Sequence, residues 1–241
     1  MLLPIRALRP AEGYNPLMCG RIIQYRGAKA YAELLGLDIE DAALPNAPAR
    51  YNATPGQDLV AFRRHPESGR IVPSLLRWGL IPHWAKDPAI AWRLINARSE
   101  TVARLPAFRS AFAAGRLCVV PVDGFYEWRR EGKAKQPFAI ARADRRPFAL
   151  AGLWENWHEP DGEWRRTFTV LTCAANGMMA PLHDRMPVIL ADADVPRWLA
   201  GDGADRLMVP CADDVLEAWP VSPRVNSGRE DDADLMAPVA A

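Results

Sequence analysis

Residues 117–128 read Leu117-Cys118-Val119-Val120-Pro121-Val122-Asp123-Gly124-Phe125-Tyr126-Glu127-Trp128. Such an apolar run, rich in β-branched and aromatic residues, is a strand pattern rather than a helix pattern. Three more strand-like runs follow at 137–143, 148–157 and 166–175, separated by polar turns. Upstream, 58–63 and 71–78 flank a turn containing Pro66 and Gly69, and 19–26 forms a further strand. Residues 186–190 add a short one. Helical spacing is confined to 28–37, where Tyr31, Leu34 and Leu35 share a face, to 99–115 behind a Ser99 cap, and to 194–200. Residues 42–55, rich in Pro and Ala, read as a loop. Many closely spaced strands with few helices predict an α+β fold: one β-rich domain with a curled or barrel-like, mainly antiparallel sheet and a few flanking helices. The domain is expected over 18–226. Residues 1–17 read as an irregular N-terminal extension, and 227–241, with Arg229, Glu230, Asp231, Asp232 and Asp234, as a disordered tail.

Composition narrows the function. Of 241 residues 49% are hydrophobic and 24% charged, as in a globular protein with a sizeable core. No run approaches the 18 or so apolar residues of a membrane span, and the first 17 residues lack the uninterrupted apolar stretch of a signal peptide. The expected location is the cytoplasm, with reduced thiols. Cys19, Cys118, Cys173 and Cys211 lie far apart, with no zinc-ligand spacing. A net charge of +1 gives no global attraction to nucleic acid, but 26 of the 30 basic residues are Arg. That bias fits a GC-rich genome or local phosphate recognition by the guanidinium fork.

Several residues are chemically suggestive. Met18-Cys19-Gly20-Arg21 looks like a protein start displaced by 17 residues. With Met18 removed, Cys19 carries a thiol and an α-amine on one residue. At pH 7 roughly one in seven such amines is neutral, against well under one in a thousand lysines. That pair condenses with aldehydes: the amine forms an imine, and the thiol closes a thiazolidine. Glu127 stands among aromatics, where a carboxyl keeps its proton to higher pH, unless it is an exposed strand-end residue. His183, in Leu182-His183-Asp184-Arg185, is the best acid/base candidate among the four histidines. Asn96 and Arg98, in Ile95-Asn96-Ala97-Arg98-Ser99-Glu100-Thr101, either lead into a capped helix or point into a site. Trp78 and Trp84 bracket a Gly/Pro-interrupted loop, and exposed aromatics beside arginines stack with single-stranded bases. Trp154 and Trp157 read as packing residues.

Taken in order, these segments resemble the SOS response-associated peptidase family, also called abasic site processing proteins. The motifs are Met-Cys-Gly-Arg at 18–21, Tyr-Asn-Ala-Thr-Pro-Gly-Gln at 51–57, Arg-Trp-Gly-Leu-Ile-Pro-His-Trp at 77–84 and Ile-Asn-Ala-Arg-Ser-Glu-Thr at 95–101. Val-Asp-Gly-Phe-Tyr-Glu-Trp at 122–128, Lys-Gln-Pro-Phe at 135–138, Ala-Gly-Leu-Trp-Glu at 151–155 and Leu-His-Asp-Arg-Met-Pro-Val-Ile-Leu at 182–190 complete the set. The resemblance implies a groove for single-stranded DNA and a thiazolidine crosslink between the N-terminal Cys and an abasic site. It implies Cys19 as nucleophile, Asn96 positioning substrate, Glu127 as acid/base and His183 assisting proton transfer. Arg21, Trp84, Arg98, Arg109 and Arg185 correspond to DNA contacts. The expected partner is single-stranded DNA containing abasic sites, bound by a monomer without metal, cofactor or membrane and associated with the nucleoid when on DNA. Peptidase and lyase activities could accompany the crosslinking enzyme. The competing readings are a thiol peptidase, including an autoproteolytic one, or amidohydrolase in which Cys19 attacks a carbonyl with Glu127 or His183 as base, and a non-catalytic single-strand DNA binding module. As written, Cys19 is acylated by Met18, so the chemistry requires translation from Met18 with removal of that Met, or removal of residues 1–18.

Overall fold

At Asp123 the chain changes sheet. The computed structural model, which describes residues 19–39, 44–131 and 134–240, shows 117–128 to be two strands rather than one. In chain order the elements are β1 (Arg21–Gln24), α1 (Ala28–Leu34), β2 (Arg50–Ala53), β3 (Asp58–Arg64), β4 (Ile71–Trp78), β5 (Asn96–Arg98) and α2 (Arg109–Ala113). They continue with β6 (Leu117–Val122), β7 (Gly124–Glu131), β8 (Ala134–Arg142), β9 (Phe148–His158) and β10 (Trp164–Ala174). Last come β11 (Arg185–Pro187), β12 (Ile189–Leu190), α3 (Val195–Ala200), α4 (Ala204–Leu207) and β13 (Leu216–Pro220).

One sheet closes on itself. Its path runs β10-β4-β3-β6-β9, and β9 pairs again with β10 from His158↔Trp164 to Gly152↔Val170. The β4–β10 pairing is parallel, while the other pairings around the ring are antiparallel. The expected barrel-like, mainly antiparallel sheet is therefore a mixed five-stranded barrel, which removes the exposed edges an open sheet would have. The second sheet, β13-β8-β7-β1-β2, is antiparallel throughout. Gln24 joins it to the barrel. The buried Gln24 amide donates to Val60 O (3.0 Å) and Pro121 O (2.7 Å), and accepts from Val60 N–H (2.8 Å).

The crossover at 123–124 has a local cause. The buried Asp123 carboxylate accepts from Tyr25 N–H (3.0 Å) and the Tyr31 hydroxyl, and pairs with Arg26 Nε at 2.8 Å. These partners turn the backbone out of the barrel. Burial, the largest influence, pushes the Asp123 carboxyl up. Gly124 then passes so close to β8 that a Cβ there would lie 2.6 Å from Ile140 O. Gly124→Ala is expected to cost about 1–3 kcal/mol through overpacking, read as a lower urea midpoint with an unchanged slope.

Four further expectations are corrected. The 42–55 loop contains β2, an edge strand held by β1. Residues 99–115 are helical only at Arg109–Ala113, because Pro106 has no N–H to continue a helical turn. Ser99 does not cap a helix, and its N–H donates to Thr172 O at 2.9 Å. The 227–241 tail is ordered over its described residues: Leu235 is fully buried, and Asp231 Oδ1 accepts from Tyr51 N–H (2.6 Å) and Asn52 N–H (2.9 Å). Asp231, one of the acidic residues that suggested a solvated tail, anchors it to β2. Residues 1–17, expected to be an irregular extension, lie outside the described residues.

Candidate functional site

Cys19 and Glu127 meet in a buried contact. Cys19 precedes β1, and β1 lies antiparallel beside β7 with Arg21 opposite Tyr126. That register carries the chain past the middle of β7, where Cys19 N–H donates to Glu127 Oε2 at 3.0 Å. Both residues are buried, Glu127 at 4% exposure. Glu127 Oε1 accepts from Trp128 N–H at 3.0 Å. Glu127 is thus a mid-strand interior carboxyl, and the exposed strand-end alternative is excluded. Burial holds its pKa above the ordinary value, opposed in part by the two N–H donors and by the charges of His183 and Lys135. The Cys19 thiol is pushed well up, first by burial and then by the Glu127 charge. Cys19 adopts φ +52°, the left-handed region, and this aims its N–H at the carboxylate.

His183 completes the cluster. A groove of about 420 Å³ is lined on one wall by Glu127, Trp128, Arg129, Arg130 and Lys135, and on the other by Pro181, Leu182, His183 and Asp184. His183 Nδ1 accepts from Arg185 N–H at 3.0 Å, and an Asp184 carboxylate oxygen lies 2.9 Å from the same nitrogen. The first contact suits the neutral ring and the second the imidazolium. The ring therefore has a partner in either protonation state, which suits proton transfer. Among the described residues no group of three or more His, Cys, Asp or Glu could hold a metal ion, and no helix is long and apolar enough to cross a membrane.

A model of the SOS response associated peptidase (SRAP) family matches residues 18–228. The chain belongs to the SRAP family. Among its relatives is the abasic site processing protein YoqW of Bacillus subtilis, 37% identical over 91% of this chain and 99% of that protein. Another is YedK of Escherichia coli, 33% identical over 92% of this chain and all of that one. The abasic site processing protein HMCES of Xenopus tropicalis is 31% identical over 78% of this chain and 66% of its own length. A solved protein of Bordetella bronchiseptica, 28% identical, superposes with a TM-score of 0.72 over 85% of this chain and all of that one. A Bacteroides thetaiotaomicron protein at 23% identity shares the fold, with a TM-score of 0.80 over 92% of this chain and all of that one.

The remaining SRAP candidates divide by what already holds them. Asn96 lies on β5, which runs parallel to β10 with Asn96 opposite Val170 and Arg98 opposite Thr172. Arg98 and Arg109 are exposed and form no ion pair among the described residues. Trp84 is 49% exposed on a loop tied to β10 through Gly79 N–H to Phe168 O and Ile81 N–H to Thr167 Oγ1, both 2.9 Å. Its bracket partner Trp78 is core, and Trp154 and Trp157 are buried as expected. Two arginines expected at DNA are engaged by the protein itself. Arg21 Nη1 donates to Asn52 Oδ1 and Val225 O, both at 2.8 Å, and Nη2 donates to Asn226 O at 3.0 Å. Arg185 grips both oxygens of Glu100 and donates to Thr172 O at 2.7 Å.

Sequence reasoning missed the C-terminal contribution to this site. Asn226 Oδ1 accepts from Trp128 Nε1–H at 2.7 Å and so fixes an indole on the groove wall. The Asn52 side-chain amide donates to Ser227 O (3.1 Å) and Glu230 O (2.8 Å), binding the same segment to β2. The available signal was the apolar spacing of Val221, Val225 and Leu235, all fully buried against Ile23 and Tyr126.

Proposed function

We propose that this protein acts on abasic sites in single-stranded DNA, closing a thiazolidine between Cys19 and the sugar aldehyde once Cys19 is the first residue. The observation that carries this reading is the 3.0 Å contact from the Cys19 nitrogen to a buried carboxyl whose pKa is raised. The names of the relatives supply the substrate class.

The neutral α-amine adds to C1′ of the ring-opened sugar to give a carbinolamine. Protonated Glu127, held beside that nitrogen, donates its proton to the departing hydroxyl, which leaves as water. The carbinolamine N–H proton returns to the Glu127 carboxylate as the C=N bond forms, the thiol then adds to the imine carbon, and its proton ends on the ring nitrogen. One water is lost overall, and nothing is oxidised or reduced. His183, across the groove, protonates the sugar ring oxygen and promotes opening to the aldehyde. Arg98, Arg109 and the Arg129–Arg130–Lys135 wall bind backbone phosphates, and Trp84 and Trp128 offer faces for flanking bases.

Peptidase chemistry led by the thiol fits less well. A nucleophilic Cys needs a cation or imidazole to lower its pKa, whereas burial and Glu127 both raise that of Cys19. An amine-first order needs no thiolate at the outset. The proposed cellular role is to cover abasic sites in exposed single strands, in the cytoplasm and on the nucleoid, during the SOS response.

Protein beginning at Cys19 is expected to give a band stable on a denaturing gel with a single-stranded oligonucleotide carrying one abasic site. Undamaged oligonucleotide should give none, and binding without a covalent band defeats the proposal. Arg98→Ala is expected to weaken binding across sequences and to reduce the salt-dependence slope by about 1, measured by anisotropy titrations at several salt concentrations.

A further inference from the structure

Arg63 is a buried cation, 5% exposed, without a carboxylate partner among the described residues. On β4, Leu76 and Trp78 are buried while Leu75 is 40% exposed, which identifies the face lining the barrel interior. Register places Arg63 on that face: Arg63 lies opposite Val72, and Ala61 opposite Ser74, on the same side as Leu76. Arg63 also lies opposite Cys118, which is opposite Gly152, two residues before Trp154. Trp154 is opposite Phe168 on β10, and Arg166 stands two residues before Phe168 on the same face. These residues share one end of the barrel interior.

The Arg63 contacts leave most of its donors unused. Nε donates to Ser74 Oγ at 3.1 Å, and the guanidinium lies over the Trp154 ring, 4.8 Å from its centroid. Its terminal nitrogens make no hydrogen bond among the described residues, and the side chain of the exposed Arg166 makes neither a hydrogen bond nor an ion pair there. The ionisable groups that act on Arg63 are a like charge, Arg166, and the Cys118 thiol; burial and the Arg166 charge both lower its pKa. A desolvated cation facing another cation is costly without a counter-charge. Trp154 blocks one face of the guanidinium, so an incoming anion meets its edge, the geometry that favours paired N–H contacts to an oxyanion.

We propose that this end of the barrel is an anion site, in which Arg63 and Arg166 hold a phosphate oxyanion and the Ser74 hydroxyl donates a further hydrogen bond. It is separate from the Cys19 groove. Arg166 and Ala174, which pairs with Arg185 beside His183, are at opposite ends of β10, roughly 26 Å apart at about 3.3 Å per residue. The phosphate is either free or part of a nucleic-acid backbone.

Full-length protein is titrated with inorganic phosphate at constant ionic strength set by sodium chloride, and Tm is followed. The expected result is a saturable rise of about 5 °C, lost in both Arg63→Met and Arg166→Ala. Arg166 is exposed, so its variant tests the site even if Arg63→Met fails to fold. No phosphate-specific rise in the parent protein overturns the proposal, as does a rise that survives in Arg166→Ala. A second titration uses undamaged single-stranded oligonucleotide, whose binding does not depend on Cys19 chemistry. A salt slope smaller by about 1 in Arg166→Ala assigns the site to backbone phosphate. An unchanged slope with a lost phosphate response assigns it to free phosphate.

Discussion

Protein carrying a single Gly in front of Cys19 is expected to give no covalent product with abasic single-stranded DNA, while protein starting at Cys19 gives full yield. An amide nitrogen has no available lone pair and cannot add to an aldehyde, so the loss should be complete rather than partial. Misfolding does not account for it. In the structure Cys19 is acylated, and its N–H still reaches Glu127 at 3.0 Å. The extended protein should therefore retain its Tm and its non-covalent affinity for the oligonucleotide. Intact mass of the crosslinked species provides the check: protein plus oligonucleotide minus one water for the free N-terminus, and no adduct for the extended chain. A crosslink from the extended chain would move the chemistry away from the Cys19 amine.

Glu127→Gln is expected to slow crosslinking about 10²- to 10⁴-fold, the usual span for removing a positioned general acid. The carboxyl accepts Trp128 N–H on one oxygen and faces the Cys19 nitrogen with the other. Gln can keep the first contact only by turning its NH₂ toward the amine, where it donates to the lone pair that must attack. The variant thus loses the proton donor and also occupies the nucleophile. The parent rate should be bell-shaped in pH, limited on the acid side by amine protonation and on the alkaline side by loss of the Glu127 proton. Because the Glu127 pKa is raised, the alkaline limb starts above the ordinary carboxyl range. Glu127→Gln should lack that limb in single-turnover profiles. Stability follows the same sign. A carboxyl with a raised folded-state pKa contributes stability that is complete below its unfolded pKa of about 4.3 and is lost as pH rises through the folded value. Glu127→Gln should flatten that decline in urea midpoints.

The strands were largely legible because barrel interiors demand long apolar runs, and β6, β9 and β10 supply them. Their partners were not. Nothing local in Asp123-Gly124 says that the chain leaves one sheet for another. The decision lies with Tyr25, Arg26 and Tyr31, about a hundred residues upstream, and with the nearby Ile140 carbonyl. Cys19, Glu127 and His183 were legible from their chemistry, and their meeting from the ordered motifs. Arg21 and Arg185, expected at DNA, also hold carbonyls and Glu100 within the protein, contacts that residue type alone does not announce. The tail misled for a related reason: Glu230, Asp231 and Asp232 read as solvated charge, yet each has a partner in the fold.

The left-handed Cys19 backbone has a consequence for maturation. A non-glycine residue held at φ +52° carries roughly 1–2 kcal/mol of steric strain. The φ angle is defined by the preceding carbonyl carbon and exists only while residue 18 is attached. In a chain that begins at Cys19 that torsion no longer exists, and the backbone is free of the constraint it imposes. In the proposed chemistry, the junction before Cys19 is thus a loaded position, whose opening would relax the backbone and free the proposed nucleophile in one event.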